Sequence, residues 1–210
     1  MSKCNAKIEG LKSKIDNILS QDANLNVKIE RVLKSCEKTI EKNFKRFNLR
    51  LIDCSKGCGH CCILNIATLE PESERIIDFV NKNFTTNEIF ALKKEIIETY
   101  NTTSYLTDEE RIPLRKRCLF LDESLSCKIY SVRPIMCRAV TSTDRNRCIE
   151  AISKTSFGEN FTILSNIYIR EIYLTAFNKI ANFLNINKLD DRSADIVFWL
   201  KNKIDKIGVK

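Results

Sequence analysis

Residues 54–62 read "CSKGCGHCC": Cys54, Cys58, Cys61 and Cys62 fall within nine positions, with the chain's single histidine, His60, and two of its five glycines. Thiolates are soft donors that suit zinc and iron–sulfur clusters. The Cys58-Gly-His-Cys61 spacing lets a tight loop aim two sulfurs at one centre, and Gly57 and Gly59 are free to take positive φ. Cys54 can join the same centre. Cys61 and Cys62 are the informative pair, because adjacent side chains diverge in both helix and strand. A single tetrahedral zinc would not easily take both. Three arrangements remain: one binds and the other packs; the two serve different centres; or a polynuclear cluster takes both at separate irons. His60 can be a ligand or a donor to the ligands, and its place also suits an exposed loop residue.

Further along the chain the cysteines resume at Cys118, Cys127, Cys137 and Cys148, so eight of ten lie in two segments, 54–62 and 118–148. Predicted helix fills the interval. A helical excursion that returns the chain to one place would bring the segments together. Eight thiols suffice for two four-thiolate sites, and one site with spare cysteines fits the count equally. Cys36 falls on an apolar helical stripe and reads as a small core residue. Cys4 carries no assignment. From Arg115 to Arg147 there are eight Lys/Arg against three acidic residues. Such cations lower thiol pKa values and offset the negative charge of a thiolate-bound metal. Arg133 and Arg138 flank Cys137, and Arg138 is expected to hydrogen-bond near the metal or to a buried carboxylate. Tyr130 either lines a pocket or packs on the metal loop.

The redox setting decides how ten cysteines are read. The N-terminus has no apolar stretch resembling a signal peptide, and no apolar run approaches the roughly 20 residues that span a bilayer. The expected location is cytoplasmic, where thiols stay reduced and clustered cysteines signal metal or redox chemistry, not disulfides. At 210 residues and 43% hydrophobic, the chain can bury a substantial core. The net charge is +8, and residues 1–50 hold twelve Lys/Arg against six Asp/Glu. The basic residues alternate with acidic ones, which describes a solvated helical face. Aromatic interleaving is sparse and no nucleic-acid motif is present, so nucleic acid is an unlikely partner.

Three prolines and five glycines in the whole chain predict long helices. Ile8, Leu11, Ile15, Ile18 and Leu19 recur at helical spacing. After a break near residues 21–24, Leu25, Ile29, Val32, Leu33, Cys36, Ile40, Phe44 and Phe47 do so again. Residues 1–50 are therefore a helical hairpin. Pro71 suits a first helical turn, with Glu70, Glu72 and Glu74 favoured at a helix N-terminus. Thr85–Glu88 reads as a capping box for a helix through about Tyr100, and Thr107–Glu110 as a weaker one. Residues 118–130 form a small β-hairpin or an irregular segment. Ser131 is placed to cap a helix containing Pro134. A long amphipathic helix is expected from about Asn160, and a last one capped by Asp190 or Asp191. The fold class is mainly α. The expected organisation is one domain: hairpin 1–50, cysteine-cluster region 51–150, and helices of 151–210 on the same core.

Residues 54–62 followed by "RCLFLDESLSCKIYSVRPIMCR" resemble the YkgJ-type cysteine-cluster family, whose domain is described by zinc or iron chelation. The matching residues are Cys54, Cys58, Cys61 and Cys62, then Cys118, Phe120, Leu121, Cys127, Ile129, Tyr130, Arg133, Pro134, Cys137 and Arg138. The resemblance covers about residues 50–150. Flagellin lysine methylases look like distant relatives, with a similar cysteine pattern and an iron–sulfur cluster. Cys54, Cys58 and Cys61 also satisfy the C-x3-C-x2-C spacing of radical enzymes. The strand–helix alternation of those enzymes' barrel is absent.

Together these readings favour a metal-binding protein carrying a [4Fe–4S] cluster, with zinc as the alternative. The candidate ligands are Cys54, Cys58, Cys61, Cys62, Cys118, Cys127, Cys137 and Cys148. A protein-modifying or redox enzyme, with a protein substrate or redox partner, is one activity. A structural zinc module or a chelating protein without catalysis is the rival. With one histidine in the chain, histidine-based acid–base catalysis is nearly excluded.

Overall fold

The computed structural model describes residues 2–43, 51–55, 57–154 and 163–209. The fold is mainly α, as the scarcity of turn residues predicts. Helices α1 (Ser2–Ser20) and α2 (Leu25–Lys42) pack together as the expected hairpin. The break falls at Asn24, whose side chain accepts the Asn26 N–H at 2.8 Å and starts α2. Phe44 and Phe47 lie outside the described residues.

Two hydrophobic cores form around these elements. In the first, Leu11, Ile15 and Leu19 of α1 and Ile29, Val32, Leu33 and Cys36 of α2 meet a long helix that follows the cysteine region. That helix was expected from about Asn160. Residues 163–166 are not helical, and the helix starts after Asn166, whose side chain accepts the Ile169 N–H at 3.1 Å. The second core joins Ile76, Ile77 and Val80 of α3 (Glu70–Asn83) to Leu92 and Ile96 of α4 (Thr86–Thr103). The predicted capping boxes open α4 at Thr85 and α5 (Asp108–Leu114) at Thr107.

In chain order α6 (Ile135–Ala139), which joins the first core through Ile135 and Ala139, and α7 (Arg145–Lys154) precede α8 (Ile167–Ile186). The Ser131 cap is corrected. Ser131 sits in a 3-10 turn, Tyr130–Val132, and α6 begins after Pro134. The cap is instead remote: the buried Glu72 carboxylate of α3 accepts the Ile135 N–H at 2.6 Å.

A two-stranded antiparallel pairing, absent from the sequence expectations, joins β1 (Ala67–Leu69) to β2 (Ser193–Asp195), with Thr68 opposite Ala194. β1 runs straight into α3, and β2 into α9 (Ile196–Asn202). The Trp199 indole N–H donates to Thr68 O at 2.8 Å, and Arg111 pairs with Asp195. Asp195, not Asp190 or Asp191, caps α9, accepting the Val197 N–H at 3.0 Å. Asp190 is engaged by Arg192 instead. Among the described residues, no helix is long and apolar enough to cross a membrane.

Candidate metal centre

The first cysteine segment is a chain of turns. Cys58 N–H donates to Ser55 O, Cys62 N–H to Gly59 O and Leu64 N–H to Cys61 O, each at 3.1 Å. Gly57 has φ 82°, the left-handed region its sequence position anticipated. Gly59 serves differently. A Cβ there would meet Leu121 Cδ1 at 2.7 Å and Leu125 O at 3.2 Å. Glycine is needed at 59 for close approach, not for φ.

What the loop approaches is the second segment. Leu121 bridges Cys127 in antiparallel fashion, and Lys128 N–H donates to Phe120 O at 2.8 Å. This is the predicted hairpin, reduced to its turn. Asp122 Oδ1 ties that turn by accepting from Ser126 N–H at 2.8 Å and the Ser124 hydroxyl at 2.7 Å. Cys118 N–H donates to Cys62 O at 2.7 Å. The helical excursion through α3, α4 and α5 thus returns the chain to the first loop, as the cysteine distribution requires.

A third stretch closes over the loop's other side. Asp53 N–H donates to Ser142 O at 2.9 Å, and Ser142 N–H donates to Cys54 Sγ at 3.2 Å. At the start of α7, Arg145 N–H donates to Asp53 Oδ2 at 3.0 Å. The Arg145 guanidinium reaches Gly57 O and His60 Nε2, each at 3.5 Å. These contacts hold Cys148, on the first turn of α7, beside residues 53–60.

All nine described cysteines are free thiols. The eight candidates divide in space. Cys54 lies within electrostatic reach of Cys58, Cys61 and Cys148. Cys137 lies within reach of Cys118 and Cys127. Cys61 and Cys62 sit between, with their thiols hydrogen-bonded to each other. That bond, then burial, pushes the Cys61 thiol far up. Burial pushes Cys118 up to about 11 and raises Cys54, Cys127 and Cys137. Cys36 is fully buried in the first core, with its thiol pushed up to about 12.

Arg133 is the nearby cation that favours the thiolates of Cys61, Cys127 and Cys137. Its guanidinium stacks 4.3 Å over the Tyr130 ring, and its Nε is buried without a hydrogen-bond partner. Tyr130 is 56% exposed. Arg138 is buried and binds Glu37 at 2.8 Å and Ser131 O at 3.0 Å. The carboxylate it meets is half exposed. The buried one, Glu72, accepts from Leu69 N–H at 2.9 Å as well as from Ile135. Desolvation pushes Glu72 up to about 7. The sequence places Glu72 correctly in a first helical turn but gives no sign of its second partner, 63 positions away.

The donor set fits a thiophilic metal. The thiols are gathered from three stretches, and burial favours the protonated form of Cys54, Cys118, Cys127 and Cys137 unless a cation draws off their protons. The Arg133 Nε–H is buried without an acceptor, at a cost of about 1–3 kcal/mol, and a metal-bound thiolate beside it would offer one. Among the described residues, no three His, Cys, Asp or Glu side chains already converge on one point that could hold an ion. His60 Nε2 faces Arg145, and burial with that positive charge lowers its pKa.

A family model, CxxCxxCC, described as a "putative zinc- or iron-chelating domain", matches residues 53–160. The match takes in all eight clustered cysteines and leaves α1, α2, α8 and α9 outside. No curated protein and no solved structure matches the chain.

Proposed function

The chain belongs to the CxxCxxCC family of zinc- or iron-chelating domains, and from that premise we propose that it is an iron–sulfur redox protein whose [4Fe–4S] cluster is held by Cys54, Cys58, Cys61 and Cys148. One observation carries this reading. The Asp53–Ser142 and Asp53–Arg145 bonds fasten the start of α7 to a C-x3-C-x2-C loop, so that loop gains its fourth thiol from Cys148.

A bound cluster supplies one-electron oxidation and reduction. The chain's own groups set the conditions for it. Ser142 N–H donates to Cys54 Sγ, and the Arg145 guanidinium lies across the loop; both favour the more negative, reduced state. Four cysteine ligands leave no iron open, which favours outer-sphere electron transfer over substrate binding at the metal. Exposed Arg115, Lys116, Arg117 and Arg147 present positive charge near the site and suit an acidic redox protein as partner.

Anaerobic purification tests the proposal. The expected product is brown, contains iron and sulfide in equal amounts, and bleaches reversibly with a reductant. A colourless protein holding only zinc sinks the cluster and leaves the structural zinc module as the function.

A further inference from the structure

We propose that the α1–α2 hairpin carries a binding site for a small organic molecule with two phosphate groups. The site is independent of the metal reading, because none of the eight clustered cysteines lines it.

A groove of about 320 Å³ opens between the first half of α1 and the end of α2. Small-molecule pockets begin at roughly that size. Lys7, Gly10 and Lys14 form one wall, and Thr39, Lys42 and Asn43 the other. The Thr39 hydroxyl donates to Ser35 O at 2.8 Å and the Asn43 side-chain amide to Thr39 O at 2.7 Å, which holds the second wall in place. Among the described residues, no acidic side chain lines the groove and none of its three lysines has a carboxylate partner. Elsewhere on the same hairpin Lys12 pairs with Glu9 and Lys34 with Glu30. Three unpaired ammonium groups around one groove repel each other, and an anion among them relieves the repulsion. Lys7 and Lys14 stand two helical turns apart on one face, about 10 Å along the axis. One phosphate engages one end of that row. Phosphates at the two ends of a small molecule engage both, with Lys42 reaching in from the other wall.

Gly10 is a second and separate sign. Glycine inside a helix is destabilising relative to alanine, and it serves where the backbone takes positive φ or a neighbour comes too close for a Cβ. Neither applies here. Gly10 lies within α1, it is not among the glycines of positive φ, and a Cβ built on it would meet nothing within 4 Å. The open space beside it is the groove itself. Packing leaves room for a side chain at this position, and its absence keeps that room for a ligand.

Calorimetric titration of the full chain with fructose bisphosphate tests the site, with inorganic phosphate as the single-phosphate comparison. The bisphosphate is expected to bind saturably, more tightly than phosphate, and more weakly as salt is added. Gly10→Leu separates a ligand role from a structural one. Leucine is the better helix former, so the thermal midpoint should rise by about 2–4 °C while bisphosphate affinity falls about tenfold. Lys7→Gln and Lys42→Gln should each weaken binding about threefold, and Lys34→Gln, outside the groove, should leave it unchanged. Binding that survives Gly10→Leu, or that Lys34→Gln weakens as much as Lys42→Gln does, reports general attraction to a basic surface and overturns the proposal. So does the lack of saturable binding, or phosphate binding as tightly as the bisphosphate. If Gly10→Leu does not fold, the comparison of Lys7→Gln and Lys42→Gln with Lys34→Gln decides.

Discussion

An alanine at position 59 would put its Cβ 2.7 Å from one Leu121 methyl and 3.2 Å from Leu125 O. The methyl can rotate away, but the carbonyl belongs to a turn already tied by Asp122. Gly59→Ala is therefore expected to cost about 1–3 kcal/mol and to loosen the two cysteine segments, read as a lower thermal midpoint and faster metal loss to a chelator. Glu72 makes a pH prediction. Its pKa is raised from 4.5 to about 7 by desolvation, so the fold favours the protonated form. Its contribution is complete below pH 4.5 and is lost as pH rises through about 7. That amounts to about 3 kcal/mol across the window. Urea unfolding at several pH values should show this slope in the wild type and lack it in Glu72→Gln. Cys36 was readable as a core residue from its stripe, and burial should protect it: in the native protein it resists alkylation by iodoacetamide, measured by mass spectrometry, and reacts on unfolding. Residue-level chemistry was legible wherever it was local. The partners of Glu72 and Gly59 were not, because each lies across the fold on a segment far away in sequence.

Among the elements, helices were the easiest to read. The Thr85–Glu88 box is a local pattern, and in the structure Glu88 Oε2 accepts both the Thr85 N–H and its hydroxyl at 2.9 Å. Thr85→Ala should cost about 1 kcal/mol, seen as a lower denaturant midpoint with an unchanged slope. The misplaced starts have two causes. At α6 a remote side chain, Glu72, binds the first helical N–H in place of Ser131; at α9 the strand β2 delays the helix, so the adjacent Asp195 caps it in place of Asp190 or Asp191. The β1–β2 pairing was invisible for another reason. Three residues per strand are too few for a period-two pattern, and each strand flows into a helix that dominates the hydrophobic spacing.

Across the whole molecule, the cysteine pattern correctly announced that two distant segments meet, since thiols gathered in two separated clusters call for a fold that brings them together. It could not announce how many centres they form, because that depends on side-chain direction at Cys61 and Cys62. The first core, built mainly of α1, α2 and α8 with Ile135 and Ala139 of α6, holds none of the eight candidate ligands among its members. Stripping the metal with a chelator is thus expected to lower the thermal midpoint and expose the clustered thiols while most of the far-ultraviolet helical signal survives. Collapse of that signal would instead make the metal the organiser of the entire chain.

The β1–β2 pairing has a consequence in time. Residues 193–195 leave the ribosome after Cys148, so at ordinary elongation rates the eight thiols wait roughly several seconds for the strand that locks β1 in place. Throughout that interval β1 has no partner strand. The pairing thus sets an order of assembly: the segment around Cys118 meets Asp195, which acts on its thiol electrostatically, only once the last strand has been made.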